Sequence, residues 1–414
     1  MIRNLFRPAD VLLPAKEDLS LWSTVACDQF TADPAYWDAV AEKTAEIPST
    51  FHLMLPEAYL ERKDSREESR QINATMQEYL DNGVFRTVEN SYVYLERTLP
   101  SGIVRKGLVG ALDLEYYDYS EDSISPIRAT EHTVESRLPA RVEIRKHAPL
   151  EMPHIMVFID DPEDHVMQCA KIGAHDTLYD FELMCGGGHL LGKSVSGTNA
   201  DMVTALLDEL TDESLLKQKY GHSYSAVVYA IGDGNHSLAA AKKCWDELRD
   251  TLSAEERTDH PARFALVELV NIHDPGVTFH PIHRTVFGVN PAEFLLSAKK
   301  TLLSEQGKEV EFICAGVRET GCVACESVGD LIQKVNDFCQ EYAQAHGGTL
   351  DYIHGDEAAA AFGMQQDAAT ILLPPMEKSE LFRSVMYTGV FCKKSFSIGE
   401  PEEKRYYLEC RKLH

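Results

Sequence analysis

The sequence predicts an α+β protein in which mixed sheets are flanked by helices and more than one domain is present. The chain has 414 residues, which is too long for one small core, so we expect two or three domains. Hydrophobic residues make up 44% of it, a share typical of folded globular proteins. Short β-rich apolar runs such as 226–231 and 264–271 alternate with charged amphipathic stretches such as 56–80. The first pattern is typical of strands and the second of helices.

We predict three domains from the order of these patterns. In the first, Asp33 and Pro34 are typical of a helix start. Apolar runs at 91–96 and 103–114 on either side of a Pro-Ser-Gly turn indicate a hairpin. The last third of the chain alternates helix and strand patterns. The predicted domains are 1–165, 166–290 and 291–414.

Charge and hydropathy limit the kind of partner. The chain carries 66 acidic and 40 basic residues, a formal net charge of −26, whereas binding a nucleic-acid backbone needs a basic surface. No apolar run approaches the roughly 20 residues of a membrane helix, and the first residues lack a signal-peptide core. The 10 cysteines have no framework spacing, which is typical of reduced thiols. We therefore expect a cytoplasmic protein with a small-molecule ligand, no nucleic-acid partner and no membrane partner.

The turn Gly-Asp-Gly-Asn-His at 232–236 is the most informative stretch. It follows a predicted strand, and the Ala- and Lys-rich sequence after it predicts a helix capped by Asn235 or Ser237. The first amides of such a helix have no partner within it, so they bind anions and phosphate above all. A turn whose polar groups only cap the helix is the alternative. The predicted phosphate-binding residues here are Gly232, Gly234, Asn235 and Ser237.

The same turn contains Asp233 and His236, which predict acid–base or metal chemistry. Both side chains can bind a metal, and a histidine can also move a proton near neutral pH. Asp233 is the candidate metal ligand. A metal site would need a third ligand, for which His283 in the stretch His280-Pro-Ile-His-Arg284 is a candidate. The alternative for His283 and Arg284 is a pair of hydrogen-bonded polar residues at a strand end.

A second polar stretch, 128–147, carries a cluster of arginines. Arg137, Arg141 and Arg145 are spaced at i, i+4 and i+8, so a helix would place them in one stripe. In so acidic a chain, such a stripe favours an anionic ligand, although a solvated helix face with charge pairs is the alternative. Glu131, just before the stripe, is a candidate general base.

Two further motifs have a structural alternative that we favour. The segment Gly187-x4-Gly-Lys-Ser194 matches the P-loop pattern, but the residues after Ser194 do not open a helix directly. We therefore predict a glycine-rich hairpin turn there. Cys322-Val-Ala-Cys325 has no second pair, so ordinary thiols are favoured over zinc or redox chemistry.

Several of these blocks together resemble the prokaryotic family known as domain of unknown function 1015. They are the 232–236 turn with its helix, the stretch from Glu131 to Arg141, Pro281 to Arg284, and the basic run 393–397 that contains Lys394. They cover most of the chain in order. The family name supplies no reaction.

The 232–241 block is also similar to the nucleotide-binding turn of ParB partition proteins, sulfiredoxin and free-serine kinases. This resemblance implies a ParB/sulfiredoxin-like central part and a phosphate at the start of the helix. Those turns usually carry an arginine where this chain has Ser237. Arg284 or an arginine of the 137–145 stripe could supply the missing charge, and Lys394 is a further candidate.

Three functions fit these observations. The first is an enzyme that binds a nucleotide or phosphorylated metabolite and transfers a phosphoryl group to a small molecule, using ATP or ADP with Mg. In it, Arg141 and Arg284 would offset the developing charge and Glu131 or His236 would act as general base. The second is a metal-dependent hydrolase using Asp233, His236 and His283. The third is a metabolite-binding protein without catalysis.

Overall fold

A computed structural model describes residues 2–31, 33–59, 65–135, 138–221 and 226–414. The strands described are β1 (Phe6–Arg7), β2 (Ala9–Pro14), β3 (Thr24–Val25), β4 (Phe85–Thr98), β5 (Val104–Asp113), β6 (Tyr117–Asp118), β7 (Ile127–Ala129), β8 (Leu150–Glu151), β9 (Met156–Ile159), β10 (Thr177–Glu182), β11 (His189–Ser196), β12 (Tyr229–Asp233), β13 (Phe264–Asn271), β14 (Phe279–Phe287), β15 (Lys308–Cys314), β16 (Val317–Val323), β17 (Thr349–His354), β18 (Ala368–Leu372), β19 (Phe396–Ile398), β20 (Tyr406–Tyr407) and β21 (Arg411–Lys412). The α-helices described are α1 (Leu19–Trp22), α2 (Pro34–Thr44), α3 (Ser65–Asp81), α4 (Leu138–Lys146), α5 (His165–Gly173), α6 (Gly197–Glu209), α7 (Glu213–Tyr220), α8 (Asn235–Arg249), α9 (Ala254–Asp259), α10 (Pro291–Thr301), α11 (Val328–His346), α12 (Asp356–Gly363) and α13 (Lys378–Tyr387).

The chain divides into two compact units. Unit 1 comprises residues 1–129, 133–277 and 400–414, and unit 2 comprises residues 130–132 and 278–399. The units differ from the three predicted domains, because strands on both sides of residue 165 pair in one sheet of unit 1. Unit 2 is inserted into unit 1, so the last 15 residues return to the first unit. Within the described residues, no helix is both long enough and apolar enough to cross a membrane.

Unit 1 is built on a mixed sheet. Its described strands follow the order β10-β11-β4-β5-β13-β9-β12-β7-β6, and β1 and β2 pair with β5 and β4. The hairpin predicted from 91–114 is confirmed, since β4 pairs antiparallel with β5. The β10–β11 pair is also antiparallel, so Gly187–Ser194 is a hairpin as predicted and not a P-loop. The mixture of parallel and antiparallel pairs confirms the α+β class.

One face of this sheet carries the main hydrophobic core of unit 1. Trp22, Trp37 and Val109 are buried there, and Tyr406 and Leu408 from the returning C-terminal segment join them. The start of α2 was predicted correctly, because the Asp33 side chain accepts from the amide of Tyr36 and Pro34 is the first helical residue. Helix α4 packs beside α8 through Leu138, Ala239 and Ala240.

Unit 2 has its own sheet, of order β16-β15-β18-β14-β17, with β19 also pairing with β14. Its strands pair antiparallel in every described pair. Apolar residues on α11, including Leu331, Val335 and Cys339, are buried. The helix and strand alternation predicted for the last third of the chain is therefore found in unit 2.

Candidate functional site

The 232–236 turn joins β12 to α8 as predicted, but its cap differs. Gly234 is the N-cap with φ +77°, and α8 begins at Asn235. The prediction of Asn235 or Ser237 as N-cap was therefore wrong. A left-handed backbone angle favours glycine, and a Cβ at Gly234 would lie 3.0 Å from the Cα of Ile155. Both backbone conformation and space therefore require glycine at this position.

The first turn of α8 contains a backbone amide that has no acceptor within the helix. The amide of Leu238 donates to the carbonyl of Gly234 at 3.0 Å, which closes the first helical turn. The amide of Ser237 precedes that bond, so it has no acceptor within the helix. The partial positive charge of a helix start adds to the attraction for an anion. Ser237 is partly buried and lines a cavity in unit 1.

His236 is engaged by the backbone. Its Nε2 accepts from the amide of Val134 at 3.1 Å, so this nitrogen carries no proton in that state and its lone pair is used. The predicted roles of general base and metal ligand therefore have no support at Nε2. Asp233 is also engaged: one oxygen accepts from the Gly234 amide at 2.9 Å, and Oδ2 lies 3.3 Å from Lys404 Nζ.

The described arginines of the stripe, Arg141 and Arg145, lie on α4. Both form ion pairs with carboxylates, as the alternative of a helix face with charge pairs predicts. Arg141 forms an ion pair with Glu57, and Arg145 Nη2 lies 2.6 Å from Glu151 Oε2. Glu151 is buried and also accepts from Arg411 Nε at 2.6 Å. Of the two arginines, only Arg141 combines a carboxylate partner of partial exposure with a place on the cavity beside Ser237. Arg137 lies outside the described residues.

The cavity measures about 160 Å³, which is below the roughly 300–1,000 Å³ of pockets that hold drug-sized ligands. Its body is apolar, and polar side chains stand among the apolar ones. The polar or ionisable residues that line it are Cys27, Glu57, Arg141, Arg145, Glu151, His154, Ser237 and Tyr407. A small molecule with an anionic group fits this combination better than a large ligand does.

A buried histidine links this cavity to an aspartate. Tyr407 accepts from the amide of Cys27 at 3.4 Å, and its hydroxyl lies 2.8 Å from His154 Nδ1. On the other side of the ring, Nε2 lies 3.6 Å from Asp28 Oδ2. In the protonated ring both nitrogens donate, so Nδ1–H bonds to the Tyr407 hydroxyl and Nε2–H faces Asp28. The tyrosine thus orients the histidine toward the carboxylate.

Electrostatics couple this pair to the turn. Burial alone would lower the pKa of His154, but Asp28 first and Asp233 second raise it above its ordinary value. Burial opposes ionisation of Asp28, yet His154 and, more weakly, Gln29 and Lys404 lower the pKa of its carboxyl well below the usual range. Burial raises the pKa of the neighbouring Cys27 thiol to about 12, so this cysteine is not a nucleophile at neutral pH.

The remaining predicted residues belong to unit 2. Arg284 is fully buried and donates to the carbonyls of Ile282 at 2.7 Å and Lys394 at 3.0 Å. His283 is 1% exposed; its Nδ1 accepts from the Leu373 amide, and its Nε2 lies 2.9 Å from Asp356. These bonds fit the alternative of hydrogen-bonded strand residues. They leave no surface of Arg284 for a phosphate.

Glu131 and Lys394 are the other two predicted residues of unit 2. Glu131 forms an isolated β-bridge with Phe391. Lys394 is exposed in a turn with φ +59°. Its backbone carbonyl accepts a hydrogen bond from Arg284. In the described part of the chain, no group of three or more His, Cys, Asp and Glu side chains could hold a metal. The proposed Asp233, His236 and His283 metal set is therefore not assembled there.

Sequence reasoning missed Asp28, His154, Lys404 and Tyr407. Asp28 stands in a segment without clear periodicity, His154 stands in the apolar stretch 153–159 that predicts a strand, and Lys404 and Tyr407 lie 168 and 171 residues beyond His236. The fold brings them together because residues 400–414 return to unit 1. No motif in the sequence connects these residues to the turn.

Comparisons with known proteins were informative at the level of the family. A family model described as a protein of unknown function, DUF1015, matches residues 6–381. No curated protein sequence matches the chain.

Solved structures with partial similarity include a truncated SbnI from Staphylococcus aureus, at 10% identity and a TM-score of 0.35, covering 70% of this chain and 83% of that one. A conserved hypothetical protein from Pyrococcus furiosus has 13% identity and a TM-score of 0.35, with 73% and 94% covered. A free serine kinase in complex with AMP has 12% identity and a TM-score of 0.38, with 73% and 91% covered.

Proposed function

Because this chain belongs to the DUF1015 family, whose description names no reaction, we propose a function from its own residues. Unit 1 binds a phosphorylated small molecule at the start of α8 and transfers its phosphoryl group to the hydroxyl of a second small molecule. The observation that carries this proposal is the cavity that adjoins the first turn of α8. Ser237, Arg141 and His154 all line it.

The start of α8 supports the phosphate position. The amide of Ser237 has no acceptor within the helix, and a phosphate there gains a hydrogen bond and the helix dipole. Arg141 adds a guanidinium that can bind two phosphate oxygens at once. Arg141 forms an ion pair with Glu57, so phosphate binding requires Arg141 to exchange one anionic partner for another.

Asp28 is the proposed general base. Its carboxyl has a lowered pKa, so it is ionised near neutral pH, and a positioned carboxylate accepts the hydroxyl proton in many phosphoryl transfers. The acceptor oxygen forms a bond to phosphorus while the bond from phosphorus to the leaving oxygen breaks, and the hydroxyl proton passes to Asp28. His154 holds Asp28 and offsets its charge. This role replaces those predicted for Glu131 and His236.

The size of the cavity suggests which part of each substrate it holds. At about 160 Å³ it suits a small acceptor, whereas a nucleotide donor such as ATP or ADP would extend beyond it with its phosphates at α8. Mg²⁺ is often bound by one or two carboxylates together with phosphate oxygens. Both oxygens of Asp233 already have partners, so Asp233 alone does not fit a resident ion and no step depends on one.

Ligand-dependent stabilisation and a transfer assay test this proposal. Purified protein is heated with millimolar ATP, ADP or inorganic phosphate, with and without Mg²⁺, and its melting temperature is compared with that in sulfate-free, phosphate-free buffer. The same donors are then incubated with pooled small alcohols and hydroxy amino acids. We expect stabilisation by at least one phosphate compound and transfer that Asp28→Asn lowers at least 100-fold.

Three results separate the alternatives. Stabilisation without turnover by any donor would leave a metabolite-binding protein, the third function considered above. No stabilisation by any phosphate compound at millimolar concentration would contradict the proposal altogether. Stoichiometric metal in the purified protein together with hydrolysis, and no phosphate binding, would favour the hydrolase.

A further inference from the structure

The C-terminal segment that returns to unit 1 carries a lysine at the 232–236 turn. Lys404 Nζ lies 3.3 Å from Asp233 Oδ2, and both side chains are largely buried, at 13% and 23% exposure. Lys404 also lowers the pKa of Asp28, after the larger effects of burial, His154 and Gln29. A single lysine thus pairs with Asp233 and acts on the charge of Asp28. It enters from a part of the chain that no motif connects to the turn.

Two buried arginines hold the backbone on which Lys404 stands. Arg97 Nη1 donates to the carbonyl of Lys404 at 2.7 Å, and Nη2 donates to the carbonyl of Glu402 at 2.7 Å. Arg105 Nη1 donates to the carbonyl of Glu403 at 3.2 Å. Three consecutive carbonyls, 402 to 404, therefore accept from these two guanidinium groups. Arg97 also donates to the carbonyl of Gly187 at 2.8 Å.

This arrangement is electrostatically costly. Arg97 and Arg105 lie directly opposite each other on β4 and β5, both are 2% exposed, and like charges at such positions repel. Burial and the charge of Arg105 lower the pKa of Arg97 to about 9. The Nε atoms of both arginines are buried without a hydrogen-bond partner. An apolar pair would fill the same space at lower cost, so stability alone does not account for them.

We propose that Lys404 is the phosphate-binding cation of the site, held in place by Arg97 and Arg105. Lys404 pairs with Asp233. When a phosphate binds at the start of α8, Lys404 transfers its hydrogen bond from Asp233 to a phosphate oxygen. Arg97 and Arg105 are positioning residues, since they act through the backbone of 402–404. The proposal rests on the proposed phosphate site.

The chemistry explains why this cation can come from outside the turn. Ser237 supplies an amide but no charge, and Arg141 is already paired with Glu57. Lys404 is a flexible point charge with three donors, so it can serve Asp233 and a phosphate in succession without rearrangement of the backbone. Fixing only its backbone keeps the side chain free to make this exchange.

Binding of inorganic phosphate, measured by isothermal titration calorimetry, tests the proposal with three variants of the full chain. Lys404→Ala should weaken phosphate binding about tenfold or more, because one charge-assisted hydrogen bond is lost, and Lys404→Arg should restore most of it. Asp233→Asn should strengthen binding several-fold, because it removes the anion that competes for Lys404. A loss of affinity in Asp233→Asn would overturn the exchange.

The role of Arg97 is tested through non-additivity. Arg97→Lys keeps a charge but cannot bond two carbonyls in the same geometry, so it should weaken phosphate binding. If Arg97 acts through Lys404, the double variant Arg97→Lys/Lys404→Ala should bind phosphate no more weakly than Lys404→Ala alone. Additive losses would show a separate role and contradict positioning. If Arg97→Lys does not fold, Arg105→Lys, which loses a single bond to Glu403, is measured in its place.

The failure of this proposal is distinguishable from the failure of the proposed function. If wild-type protein does not bind phosphate at all, the phosphate site itself is wrong. If the wild type binds phosphate and Lys404→Ala binds it equally well, the site stands and only the role of Lys404 is refuted.

Discussion

The turn at 232–236 in unit 1 and the strand residues 281–284 in unit 2 were both predicted to bind phosphate, yet they have opposite surroundings. At the turn, Ser237 in the first turn of α8 lines a cavity together with Arg141. In the strand, Arg284 is fully buried and donates to two backbone carbonyls. A positively charged residue in a motif is therefore available to a ligand only if the fold leaves its donors without backbone acceptors.

The two regions also contain histidines next to aspartates, and the difference between them is instructive. His154 lies near both Asp28 and Asp233, and their charges raise its pKa in spite of burial. His283 contacts one aspartate that is mostly exposed to solvent, so burial dominates and lowers its pKa. The number of partly buried carboxylates around a histidine decides the direction in which its pKa shifts.

The largest expected effect concerns Arg284. Arg284→Met should destabilise the protein by about 3 kcal/mol or more, because it leaves the carbonyls of Ile282 and Lys394 without their donor in a buried site. Urea denaturation of the two proteins measures this loss. Phosphate affinity, measured at a temperature at which the variant is folded, should stay within twofold of wild type. A stable Arg284→Met variant that has lost phosphate binding would contradict the purely structural role of Arg284.

A pair of glycines gives the next largest effect. Gly234 and Gly288 have similar angles, φ +77° and φ +73°, but a Cβ at Gly234 meets the Ile155 backbone at 3.0 Å whereas the nearest atom at Gly288 is 3.9 Å away. Alanine at either position costs about 1 kcal/mol of backbone strain. Gly234→Ala should cost about 1–3 kcal/mol in total and weaken phosphate binding, because α8 must shift. Equal losses of unfolding free energy in the two variants would show that the contact with Ile155 is unimportant.

The two histidines should respond to pH in opposite directions. The raised pKa of His154 means that its contribution is complete below about pH 6.5, the unfolded value, and is lost as pH rises through the folded pKa. The lowered pKa of His283 means that its contribution is present above about pH 6.5 and is lost as pH falls.

Unfolding free energies of the wild type, His154→Gln and His283→Gln between pH 5 and pH 9 measure how the contribution of each histidine to stability depends on pH. The advantage of the wild type over His154→Gln should shrink toward high pH, and its advantage over His283→Gln should shrink toward low pH. If the advantage of the wild type changed with pH in the same direction for both variants, the opposite pKa shifts of His154 and His283 would be contradicted.

The sequence was sufficient for local structure and for the class of fold. The turn before α8, the start of α2 at Asp33 and the β4–β5 hairpin follow from capping, glycine and alternation rules that act over a few residues. The cap at Gly234 was missed because Asn235 is the better N-cap candidate by residue type. The left-handed backbone angle of Gly234 and its contact with Ile155 distinguish the two.

The candidate site was predicted in part. The start of α8 and Arg141 could be identified from residue type and spacing, but Asp28, His154 and Lys404 could not. They come from three segments that the sheet and the returning C-terminus of unit 1 bring together, and pairing of strands distant in sequence leaves no local pattern. The prediction that Arg284 binds phosphate failed for the same reason, because its burial depends on contacts with residues far along the chain.

Phosphate binding by two substitutions at Ser237 tests the central claim most directly. Ser237→Ala keeps the backbone amide at the start of α8, so it should bind inorganic phosphate within about threefold of wild type. Ser237→Asp places a carboxylate in the first helical turn, which should stabilise the helix by about 0.3–1 kcal/mol while repelling phosphate and reducing its affinity more than tenfold. Undiminished phosphate binding by a folded Ser237→Asp protein would contradict a phosphate site at the start of α8.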